Sequence, residues 1–115
     1  MGDRRQVIFM EEGKSIYLYV HWDGYRLPFL VQEAIATAQT RWSDRAYCTR
    51  ILIHYILEEV VTKDSPMTGA GISTEDMETQ YPGEDIRINV AENTVGIEAF
   101  NWSFEEYLKR DWRKD

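Results

Sequence analysis

Apolar and polar positions set out a series of short elements along the chain. Arg5 to Met10 is rich in Val, Ile and Phe, and Ser15 to Trp22 (SIYLYVHW) alternates Ile16, Leu18 and Val20 with Tyr17, Tyr19 and His21. A period of two is that of a β-strand, and Glu12 with Gly13 between the runs predicts a hairpin turn. The aromatic second face of this hairpin calls for its own cover, from a helix or from another subunit. Asp23 and Gly24 stop the strand. From Pro28 to about Thr40 (PFLVQEAIATAQT) the spacing turns helical, with Leu30, Ala34 and Ala38 on one line. A second helix runs from about Arg45 to Thr62, capped by Ser43 or Asp44, and its RILIHYILEEVV run is apolar on all sides but the stripe Arg50, His54, Glu58. A short strand fits Gly71 to Thr74, and Ile86 to Val90 and Val95 to Phe100 alternate as a second hairpin about Glu92, Asn93 and Thr94. Ser103 with Glu106 has capping-box spacing and opens a terminal helix to about Arg110. The fold class expected is α+β: an antiparallel sheet from two hairpins, two main helices packed on one face, and a short C-terminal helix.

Composition narrows this to one domain over residues 1–115. At 43% hydrophobic and 13% aromatic the chain can bury a core, and 29% charged residues are interspersed rather than segregated. No run is long enough for a membrane span, and the first residues lack the apolar stretch of a signal peptide, so a cytoplasmic protein is expected. The one cysteine, Cys48, allows no internal disulfide and falls on the apolar side of the central helix as a core thiol. The net charge is −7, which argues against direct binding to nucleic acid. From Asp64 to Glu98 eight carboxylates stand against Arg87 alone, so an acidic interaction face is expected at Glu75, Asp76, Glu78, Glu84 and Asp85. Between Arg26 and Arg50 the balance reverses, with four arginines against Glu33 and Asp44.

The densest chemistry lies in YVHWDGYRLP, where loops leaving a sheet display binding groups. His21 and Asp23 fall on one side of an extended segment, as a water-activating pair would, but no third ligand at metal spacing accompanies them. Equally, Tyr19 and His21 could simply cover a sheet face, Asp23 and Gly24 form only a turn, and Trp22 belong to the core. Gly69, Ala70 and Gly71 lack the strand-to-helix setting of a phosphate loop. Trp22, Tyr25, Arg26, Arg41, Trp42 and Arg45, with His21 and Asp23, would form a ligand pocket if their two loops converged. Indole and phenol faces would stack on a planar base while guanidinium forks met a phosphate. The same arginines could instead pair with carboxylates of their own chain.

Several segments in order, DRRQVIFME, the YLY-x-HW-x-GY segment, RWSDRAY, TGAGIS and the SFEEY helix, resemble a group of small phage and prophage proteins of uncharacterised role. The resemblance covers most of the chain and implies a phage-derived protein in the cytoplasm of an infected bacterial host. It brings no catalytic residue with it, and no cofactor or metal is expected. A non-enzymatic binding protein that counters host defence follows, sequestering a nucleotide-derived signalling molecule. The alternatives are an acidic inhibitor that docks on a host defence or nucleic-acid-binding protein, and a small hydrolase using His21 and Asp23. The two-faced hairpin adds the expectation of a homodimer.

Overall fold

A computed structural model describes residues 3–22, 24–61, 66–77, 79 and 82–112. The first hairpin forms as its alternation requires: β1 (Arg5–Glu11) and β2 (Lys14–Val20) pair antiparallel, with Val7 opposite Leu18 and Phe9 opposite Ile16. Glu12 and Gly13 both have positive φ, 47° and 82°, the conformation of a two-residue turn whose twist matches that of the strands. Val7, Phe9, Leu18 and Val20 point inward and are buried. β2 ends at Val20, so Trp22 lies beyond the strand that was expected to include it.

Two helices cover the inward face. α1 (Leu27–Thr37) has Pro28 in its first turn and buries Leu27, Leu30, Val31, Ala34 and Ile35. It stops short of Thr40, because the chain tightens into a 3-10 turn over Gln39–Arg41. α2 (Arg45–Val60) is capped by Asp44, whose carboxylate accepts the Tyr47 N–H at 3.2 Å, and buries Cys48, Leu52, Ile56 and Val60. The helix ends at Val60, and Thr62, its expected end, lies outside the described residues.

The remaining strands are β3 (Ala70–Ser73), β4 (Ile86–Asn89), β5 (Thr94–Ile97) and β6 (Phe100–Ser103), giving a sheet in the order β3-β2-β1-β4-β5-β6. Every neighbouring pair is antiparallel except β1 with β4, so the two hairpins meet through one parallel seam. The run expected as one strand from Val95 to Phe100 is two, because the chain reverses at Glu98 and Ala99 with Glu98 at φ 55°. A non-glycine residue in this region carries no sequence signal. Arg87 secures the reversal by donating to the Glu98 carbonyl at 2.7 Å, passing over Gly96, where a Cβ would stand 2.7 Å from its Nη2. α3 (Phe104–Leu108) opens with the capping box in full, Ser103 accepting the Glu106 N–H at 3.1 Å and Glu106 accepting the Ser103 N–H at 2.9 Å.

Strand and helix interiors merge in one core cluster that α3 joins through Phe104 and Tyr107. The outward residues Ile8, Met10, Tyr17 and Tyr19 stand outside this cluster and are half-buried, so within the chain no described helix supplies the cover expected for the aromatic face. Among the described residues its Gln6 end is covered by the connection from β3 to β4. The buried Gln6 amide donates to Asp76 at 2.7 Å and Asp85 at 2.8 Å, while its oxygen accepts the Met77 N–H at 3.3 Å.

Candidate ligand-binding site

The residues expected to form one pocket fall into two groups. His21 and Trp22 follow the C-terminal end of β2, where Tyr25 and Arg26 lead into α1. Arg41, Trp42 and Arg45 lie past the other end of α1, and Arg45 reaches the β1–β2 turn. An eleven-residue helix spans roughly 16 Å, and the seven-residue β2, which leads from the Arg45 end to the Trp22 end, spans roughly 20 Å. The loops therefore do not converge.

Nor are these cations idle. Arg26 pairs with Glu59 at 3.3 Å, Arg41 with Asp44 at 3.5 Å while lying over the Tyr47 ring, and Arg45 with Glu12 at 2.8 Å and Glu11 at 3.4 Å. Trp42 packs edge-on to Phe104 and donates its indole N–H to the Ile35 carbonyl at 2.9 Å, the contacts of a core residue. Trp22 and Tyr25 remain exposed. The His21 Nδ1 stands 3.2 Å from the Tyr19 hydroxyl, and Asp23 lies outside the described residues, so the structure does not describe the His21 and Asp23 pair. Among the described residues no three of His, Cys, Asp and Glu gather to hold a metal. Burial pushes the Cys48 thiol up to about 11, with Asp44 adding to the shift, which keeps it protonated and unreactive near neutral pH.

The acidic segment is also partly committed. Asp85 is buried and accepts from Gln6 and from Thr79 at 3.2 Å. Burial foremost, with the neighbouring Asp76 charge, raises its pKa against the lowering effect of those hydrogen bonds and of Arg87. Asp76 shares the Gln6 amide and Glu84 pairs with Arg5 at 3.0 Å. Glu75 is exposed, and Glu78 lies outside the described residues.

Stacking faces and a guanidinium do meet, at the other end of the sheet. Phe100 and Trp102 stand on the same side of β6, their rings 6.0 Å apart and nearly parallel. Trp112, beyond α3, sets its edge on Trp102 at 5.1 Å and stacks on Tyr107 at 4.6 Å, while its indole N–H bonds the Tyr107 carbonyl at 3.1 Å. Tyr107 is fully buried, its hydroxyl donating to the Pro28 carbonyl at 2.7 Å. Gln32 of α1 fixes the segment after α3, its amide donating to the carbonyls of Tyr107, Leu108 and Arg110 at 3.2, 3.0 and 2.6 Å. So held, Arg110 lies over the Trp102 and Trp112 rings, 5.2 Å from each, with no ion pair among the described residues. Phe100, Trp102, Arg110 and Trp112, with Ile97 and Glu98, line a cleft of about 290 Å³.

Reading from sequence missed this cluster. The signal was the interleaving of aromatics and arginine in FNW and RDW, obscured because the capping box between them accounts for the segment as a plain terminal helix. No family model, curated protein or solved structure matches the chain.

Proposed function

We propose that the chain is a non-catalytic binding protein that holds a planar, anionic, nucleotide-like ligand in the cleft of Phe100, Trp102, Arg110 and Trp112. The observation that carries this reading is Arg110 lying over two indoles without a carboxylate partner among the described residues. A guanidinium held against aromatic rings rather than by a carboxylate keeps N–H donors for an oxyanion. An exposed Phe100 ring beside it offers a face to a base, and such stacking contributes about 1 to 3 kcal/mol per base. Stacking and one charged fork bind without bond making, as sequestration requires. The phage provenance implied by the resemblance gives such a binder its role: removing a nucleotide-derived signal of a bacterial defence system.

Isothermal titration of the protein with nucleoside monophosphates and cyclic dinucleotides tests it. At least one should bind saturably. Arg110→Ala should weaken that binding about 10- to 150-fold, the cost of about 1.5 to 3 kcal/mol for a hydrogen bond to a charged group. Its melting temperature should stay near that of the parent, since Arg110 is exposed. Heat-silent titrations throughout the series, or unchanged affinity in Arg110→Ala, would contradict the proposal.

A further inference from the structure

A larger groove opens at the hairpin end, between the β1–β2 turn and the first half of α2, with a volume of about 590 Å³. That is the size of a small-molecule site. Its floor is Phe9, Ile16, Ala46, Ile53 and Val90, aliphatic apart from one buried phenyl ring, so it suits a chain or saturated ring better than a stacked base. Ile16 remains 37% exposed there, and its diagonal neighbour across β2 and β3, Ile72, is 56% exposed, which extends the apolar strip toward the edge strand.

Charge selects among apolar occupants. Glu11 and Glu12 line the groove, but Arg45 bonds both. Lys14 and Arg50 line it too and make no ion pair among the described residues; the nearest partner for Arg50 is the Tyr47 ring at 5.9 Å. Lys14, Arg50 and Arg45 together outweigh Glu11 and Glu12 by one positive charge, so the rim favours an anion.

We propose that this groove is a second binding site and takes an amphipathic carboxylate, its alkyl body on the Ile16 and Ile53 floor and its head group at Lys14 and Arg50. The site is independent of the aromatic cleft, which shares no residue with it.

Decanoate, kept below its micelle threshold, tests the proposal, with decanol at equal concentration to supply the chain without the charge and acetate to supply the charge without the chain. Decanoate should bind one to one and move the methyl resonances of Ile16 and Ile53. Decanol should bind at least tenfold more weakly and acetate not at all. The double variant Lys14→Gln, Arg50→Gln should lose about tenfold in decanoate affinity with an unchanged melting temperature, and Arg110→Ala should bind decanoate as the parent does. Equal binding of decanol and decanoate would overturn the anionic occupant. Shifts confined to other methyls, or no saturable binding, would overturn the site.

Discussion

Gln6 and Asp85 make the sharpest single-residue test of what holds the sheet's outer face. Both are buried, and Gln6 spends its whole amide on the β3–β4 connection. Gln6→Ala strips Asp85 of a donor in a buried setting, which should cost about 1 to 3 kcal/mol, read as a lowered midpoint in urea. The pKa of Asp85 is raised from its ordinary 3.8, so the native state binds its proton more tightly than the unfolded chain does. Its contribution is therefore most favourable at acid pH and declines as pH rises from about 4 through the folded pKa. Glu106, lowered from its ordinary 4.5 by the Ser103 hydrogen bonds, acts in the opposite sense: its stabilisation is present above that value and is lost as pH falls through the folded one. Melting curves of Asp85→Asn from pH 4 to 7 should show a flatter loss of stability with rising pH than the parent, and an identical pH dependence would contradict the assignment. None of this was legible in the sequence. A glutamine at the start of an alternating strand reads as an outward polar residue, and its partners lie about 70 to 80 positions away.

At the scale of elements the local signals were readable. The Glu12 and Gly13 turn, the Asp44 cap and the Ser103–Glu106 box each depend on residues within a few positions of one another, so the sequence carries the whole cause. The β5–β6 reversal was not readable, since it rests on Glu98 at positive φ and on Arg87 bonding its carbonyl from a neighbouring strand. α3 has five residues, too few to persist alone, and it depends on its cap and on Gln32. Ser103→Ala should cost about 1 kcal/mol, the usual worth of an N-cap, in thermal melts. Gln32→Leu should release the segment bearing Arg110 and Trp112, lowering nucleotide affinity while decanoate affinity is kept. Loss of both would mark Gln32 as a residue of the fold as a whole.

For the whole molecule, the α+β architecture followed from periodicity, but which loops lie side by side did not. Trp22 and Arg41 are separated by the length of α1, and the stacking and cationic groups that do meet lie on β6 and just past α3, in a segment held by Gln32 of α1. The open sheet face of Ile8, Met10, Tyr17 and Tyr19 predicts self-association. Light scattering at micromolar concentration should give about twice 13.6 kDa, and Tyr17→Lys should restore the monomer mass; 13.6 kDa for the parent would refute it. Among the described residues no helix is long and apolar enough to cross a membrane. The central claim concerns where a planar anion binds, and the four tryptophans report on it separately, because each indole N–H gives its own nuclear magnetic resonance signal. On titration with a bound nucleotide the Trp102 and Trp112 signals should shift together and saturate, while Trp22 and Trp42 stay in place. Movement of the Trp22 and Trp42 signals with Trp102 and Trp112 unmoved would return the site to the loops around α1 and contradict the account.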